Sequence, residues 1–137
     1  MTYTVLVTCD FAPSWLALSR AERKRYRAQH VLPVFAKHAD RITARFYDSE
    51  SFHAEFSDLI HFETERLEHY FLLIEDLRDC PLLVEGHVEL RESFIAVENG
   101  YRVIPEAVFG AATEDDTTDI TSTDSTDSTD STDKELI

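Results

Sequence analysis

Three glycines in 137 residues leave little scope for backbone that wraps a phosphate. No glycine-rich phosphate loop, dinucleotide fingerprint or Gly-x-Ser-x-Gly elbow occurs, so neither nucleotide cofactors nor hydrolase triads are expected. Cysteine is equally scarce. Cys9 and Cys80 form no disulfide framework and no C-x-x-C pair, which argues against thiol–disulfide chemistry. Basic residues are few: 13 Lys and Arg stand against 27 Asp and Glu, a net charge of −14. That balance argues against nucleic acid and against an anionic membrane as partners. No apolar run approaches the roughly 18 residues of a membrane span, and no charged n-region precedes an apolar stretch at the N-terminus. A soluble, cytoplasmic, reduced protein is the expectation.

What is present suits one α+β domain. Hydrophobic residues make up 43% of the chain, and nine Phe supply bulk for a core. The acidity is uneven. Residues 111–137 hold nine acidic residues and one Lys, a net of −8, so Met1–Gly110 carries the remaining −6. In that final stretch Ser-Thr-Asp recurs four times from Ser122 to Asp133. With so little to bury, it reads as a disordered acidic Ser/Thr/Asp-rich tail after a folded domain of residues 1–110. Its carboxylates lack EF-hand spacing.

The organising stretch is Ile42–Asp79. Ile42, Ala44 and Phe46 alternate with Thr43, Arg45 and Tyr47, and Ile60 and Phe62 alternate with Leu59, His61 and Glu63. Period two marks two half-buried strands, and if the apolar sets share a face, Arg45, Tyr47, His61 and Glu63 share the other. The connection Asp48–Ser57 is too long for a tight turn, so the register stays open; Asp48 and Asp58 read as caps of the strand ends. A helix follows, with Thr64 as N-cap and Leu67, Tyr70, Phe71, Ile74 and Leu77 as its buried stripe. Pro81 ends it.

Upstream, Tyr3–Cys9 is dense in β-branched residues and reads as a central strand. Asp10–Leu18 reads as an ordered loop anchored by Trp15, whose ring lines a pocket or plugs one end of the core. Ser19 and Glu22 form a capping box ahead of a helix that runs to about Asp40. Pro33 inside that pattern should kink or split it. His30 and His38 read as surface or boundary residues. Downstream, Leu82–Gly86 is irregular. His87–Glu98 is a last strand whose apolar parity slips near Ser93, as at a bulge. Tyr101–Ile104 reads as a short extra piece against the sheet.

The order βαββαβ is a ferredoxin-like sandwich with helices on one face. Cover for the other face is expected from a second copy, which gives a dimeric α+β barrel and a homodimer.

Several blocks carry a family resemblance: YTVLVTCDFAPSWLALSRAER, RFYDSESF, FSDLIHFET, and HYFLLIEDLRD through IAVENGY. In this order they resemble the darcynin family over nearly all of Met1–Tyr101, and the resemblance stops short of the tail. One branch of that family is encoded in bacterial indole-3-acetic acid catabolic clusters, beside oxygenases and reductases. The resemblance implies a role toward a small aromatic or indole-derived acid. It supplies no established catalytic set.

The residues themselves suggest one. Arg45 can pair bidentately with a ligand carboxylate. His61 is a candidate general base, oriented by Glu63 or Tyr47. Trp15 and Tyr70 join Arg45 as candidate substrate contacts. The competing reading is that Arg45, Tyr47, His61 and Glu63 satisfy one another at a dimer interface. His61, Glu63 and His69 match no metal motif, so no metal and no cofactor are expected. The functional expectation is a cofactor-independent isomerase or oxygenase acting on such an acid. The alternative is a non-catalytic binding protein that serves an oxygenase pathway.

Overall fold

The computed structural model describes residues 1–110; the acidic tail lies outside the described residues. The elements are β1 (Tyr3–Phe11), α1 (Pro13–Leu16), α2 (Arg20–Tyr26), a π-helical turn (Arg27–Val31), α3 (Leu32–His38), β2 (Ile42–Asp48), β3 (Asp58–Thr64), α4 (Leu67–Asp79), α5 (Pro81–Val84), β4 (Val88–Ala96) and α6 (Gly100–Phe109). Helix α6 belongs to a second unit that begins at Asn99, and the description of sheet and core concerns Met1–Glu98.

Four antiparallel strands lie in the order β2-β3-β1-β4. Each crossover skips one strand: β1 reaches β2 past β3, and β3 reaches β4 past β1. This is the expected ferredoxin-like α+β topology. The core collects Val5, Val7 and Cys9 of β1, Ile60 and Phe62 of β3, and Leu73, Ile74 and Leu77 of α4. Phe62 is fully buried, stacked on Phe35 and tilted against Tyr70.

Local chemistry explains most boundaries. The capping box closes as expected: the Glu22 N–H donates to Ser19 Oγ at 3.1 Å, and the Ser19 N–H donates to Glu22 Oε2 at 2.9 Å. Pro33 does split the helix. The Leu32 N–H reaches back five residues to the Arg27 carbonyl, so the ladder widens into a π turn just before the proline that cannot donate. The parity slip in β4 is a bulge. Val7 faces Ser93 but Cys9 faces Leu90, and Thr8 Oγ1 accepts from the Glu92 N–H at 3.1 Å across the gap.

Several expectations need correction. Asp10–Leu18 is no plain loop: β1 runs through Phe11, and Pro13, preset for a first helical position, starts α1. Thr64 does not cap α4. It ends β3, its hydroxyl accepts from the Arg66 N–H at 3.3 Å, and the helix starts at Leu67. The buried stripe of α4 takes Leu73 in place of Phe71, which is 62% exposed. Phe71 sits about 120° round the helix from Leu77, whereas Leu73 sits about 40° away. His38 is buried, with Nε2 2.6 Å from Asp76 Oδ2, because α3 packs against α4 at that point. Residues 101–104 are helical within α6: Asn99, in the left-handed region at φ 52°, turns the chain out of the extended run. Likewise Leu82–Gly86 is partly helical, as α5.

No helix among the described residues is long and apolar enough to cross a membrane.

Candidate functional site

The sheet has two faces, and the expected site residues divide between them. In the β2–β3 register Thr43 faces Glu63, Arg45 faces His61, and Tyr47 faces Leu59. Arg45, Tyr47, His61 and Glu63 therefore share the face opposite the helices. Arg45 Nη1 donates to Glu63 Oε1 at 3.0 Å. His61 Nε2 lies 3.4 Å from the same oxygen, near enough for an ion pair, yet its geometry makes no hydrogen bond and the atom is shut off from solvent. Leu6 and Phe94 continue this face across β1 and β4. Arg45 and Tyr47 stay exposed. Of the four polar residues, only Arg45 and Glu63 are joined by a hydrogen bond.

Trp15 and Tyr70 lie on the other side of the sheet. Trp15 is 5% exposed, stacks on Phe11 at 5.5 Å and meets the Tyr26 ring edge-on at 5.5 Å. Tyr70 rests 5.7 Å from Phe62. Burial raises its phenol pKa, opposed by Ser93 and by the Arg78 charge. With the sheet between the two sets, no small ligand touches both.

The helix side holds a cavity of about 600 Å³ between the helices and the sheet. That volume falls in the range typical of small-molecule sites. Phe11, Trp15, Phe35 and Phe46 give it aromatic walls, and Arg23, Arg27, Asp48 and Asp58 bring charge to it. Arg23 Nε is inaccessible to solvent and has no hydrogen-bond partner among the described residues. A buried guanidinium donor left open costs free energy until a ligand oxygen answers it. Asp58 is held above its ordinary carboxylate pKa, chiefly by burial and further by Asp48, against the lowering effect of the Ser57 hydroxyl at 2.6 Å. The Cys9 thiol is pushed up to about 12 by burial, then by Asp58 and Asp10. It stays protonated and is a poor nucleophile at neutral pH.

Sequence reasoning passed over Arg23, Arg27 and Cys9 as site residues and read Asp58, with Asp48, as a strand-end cap. A signal existed for the first two: four residues apart in a basic stretch, they share a helix face. For Asp48 and Asp58 the signal was their place at the two facing ends of one strand pair, which reads equally well as capping.

Comparison with known proteins follows the same fold. The family model "Darcynin, domain of unknown function" matches residues 1–110. Darcynin 1 of Acinetobacter baumannii is 35% identical over 86 residues, 63% of this chain and 94% of that protein. Darcynin of Chromobacterium violaceum is 39% identical over 70 residues, covering 51% and 87% respectively. A darcynin homolog of Streptomyces avermitilis is 33% identical over 98 residues, 72% of this chain and 80% of that one. Among solved structures, chlorite dismutase from Candidatus Nitrospira defluvii in complex with imidazole superposes with a TM-score of 0.62 at 13% identity, over 72% of this chain and 40% of that chain. A heme-binding protein from Thermus thermophilus gives 0.62 at 10% identity, over 68% and 38%. This chain thus spans about two-fifths of the solved structures it matches. At such identities the likeness is one of fold.

Proposed function

The chain belongs to the darcynin family, and from that premise we propose that it binds a small aromatic carboxylic acid, of the indole-derived kind met in bacterial catabolism, in the helix-side cavity. The observation that carries this reading is the buried, unanswered Nε of Arg23 beside aromatic walls. Aromatic rings supply contact area for a planar ligand, and the guanidinium fork supplies the carboxylate partner. The chain's single Trp lines the cavity. Isothermal titration calorimetry with indole-3-acetate should show saturable binding, and Arg23→Ala should weaken it by about 1.5–3 kcal/mol. No binding heat at millimolar ligand at either of two temperatures would overturn the proposal.

A second reading is favoured by Asp58. A carboxyl group whose proton affinity is raised by burial and by a neighbouring acid suits proton transfer to a bound ligand, without a cofactor. In that case the protein is an isomerase for the same acid. Mass spectrometry and hydrogen–deuterium exchange of the bound acid separate the two readings. Product or exchange that disappears in Asp58→Asn supports catalysis; stoichiometric binding with neither supports an accessory role.

We also propose a homodimer in which the helix-free faces meet. Half-buried Leu6 and Leu59, with exposed Tyr47 and Phe94, give that face apolar area. A second copy covers it without any further domain. In that setting Arg45, His61 and Glu63 are interface residues. Two free, buried cysteines fit a reducing cytoplasm. Light scattering that returns the monomer mass at micromolar concentration would remove the dimer.

A further inference from the structure

Four side chains from three distant segments meet at one end of the sheet, away from Arg45 and His61. Ser14 Oγ lies 2.9 Å from His87 Nδ1. His87 Nε2 lies 3.1 Å from Glu85 Oε2, and the Tyr26 hydroxyl donates to that same oxygen at 2.9 Å. Proton bookkeeping is unambiguous when the ring is neutral. A carboxylate only accepts, so Nε2 carries the ring hydrogen and Nδ1 presents a lone pair, and the Ser14 hydroxyl then donates to it. The phenol of Tyr26 is pushed up to about 12 by burial, then by the hydrogen bond and charge of Glu85 and by Cys80, so it remains a donor.

The backbone holds this arrangement. Gly86, at φ 76°, makes the turn that delivers His87 from α5 into β4, and the His87 N–H donates to the Leu82 carbonyl at 3.0 Å. The His87 carbonyl accepts from the Ala12 N–H at 2.8 Å, which ties the histidine to a point two residues from Ser14. The imidazole is packed edge-on to Tyr26 at 5.2 Å and against Trp15 at 5.9 Å. Its side chain is 15% exposed, whereas Ser14 is open to solvent. A fixed base therefore faces an accessible hydroxyl, and a carboxylate orients the base from its far nitrogen.

We propose that Ser14 is a nucleophile with His87 as its general base and Glu85 and Tyr26 as positioning residues, forming an acyl-transfer site for small activated esters. The arrangement meets the geometric signature of an activated nucleophile without a nucleophile-elbow motif, which is why no sequence pattern announced it. In the reaction Oγ bonds to the ester carbonyl carbon while its proton passes to His87 Nδ1. The ester C–O bond breaks, and the leaving alcohol takes that proton. Water, activated by the same nitrogen, then hydrolyses the acyl-serine and regenerates the hydroxyl. No oxidant or cofactor enters. The site stands independently of the cavity reading.

The test uses a fluorophosphonate probe on the folded full chain, with intact-mass and peptide mapping, alongside p-nitrophenyl acetate turnover. One adduct per chain on Ser14 is expected, absent when the protein is heat-denatured before probing and absent in Ser14→Ala. His87→Gln should slow labelling by about a hundredfold or more, the usual contribution of a general base. Glu85→Leu should slow labelling and Glu85→Asp should restore part of the rate, with equal thermal midpoints for the two variants. No Ser14 adduct on the folded wild type, or an adduct that forms as fast on the denatured chain, would overturn the proposal.

Discussion

Arg45 on β2 stands directly opposite His61 on β3, and both side chains reach the same oxygen of Glu63, at 3.0 and 3.4 Å. The glutamate thus hydrogen-bonds Arg45, while His61 Nε2, though close to the same oxygen, is left without a hydrogen-bond partner among the described residues. A second unanswered buried nitrogen, Arg23 Nε, lies on the opposite side, beside the cavity. Under the proposed function the two faces take different tasks: association on one, ligand binding on the other.

Placing a charge within the association face tests that assignment. Phe94→Glu sets a carboxylate on an exposed position of β4, next to Leu6 of β1. If the proposed homodimer forms through this face, the variant should scatter light with the mass of the monomer, while the far-UV circular dichroism of the fold is retained. The exposed Arg45–Glu63 pair is worth little alone, so Arg45→Ala should change unfolding free energy in urea by less than about 1 kcal/mol.

Phe62 is fully buried between two aromatic rings at the centre of the sheet. Phe62→Ala should destabilise the fold by about 3–5 kcal/mol through lost contact and a residual hole. Chemical denaturation provides the number.

The Cys9 thiol at about 12 makes two claims. Native protein should leave Cys9 unmodified by Ellman's reagent at pH 8, with reaction appearing only in denaturant. Folding favours the neutral thiol, so its contribution is complete below the unfolded value near 9 and is lost as pH climbs toward 12. Cys9→Ser should flatten that alkaline decline.

Asp76 joins α4 to α3 through Lys37 at 2.9 Å and His38 at 2.6 Å. The Lys37 hydrogen bond first, and His38 next, hold its carboxyl below the ordinary value of 3.8. A depressed carboxyl stabilises the fold above its unfolded pKa, and the contribution fades as pH falls through the lower folded value. Thermal midpoints of wild type and Asp76→Asn should therefore converge below about pH 4 and differ most near neutrality. A constant gap across that range would contradict the assignment.

Local order was legible in the residues themselves. Alternation in Ile42–Tyr47 and Leu59–Glu63 is a property of neighbours in the chain, and it correctly set Arg45, Tyr47, His61 and Glu63 on one face. The capping box and the π turn before Pro33 are also local, since their donors and acceptors lie within five residues. Which residues oppose across distance was decided by the fold. Phe71 and Leu73 are both apolar, and only the direction from which the sheet meets α4 selects Leu73 for the core. Trp15 parted from Arg45, and Arg23 joined it, because the two crossovers put the helices of this unit on one side. Ser14 and His87 are 73 residues apart, and Arg23 and Asp58 come from a helix and a strand that share no sequence motif. Periodicity reports which side of its own element a residue occupies; tertiary packing alone determines what waits on that side, because contacts between elements depend on the angle and register at which they dock.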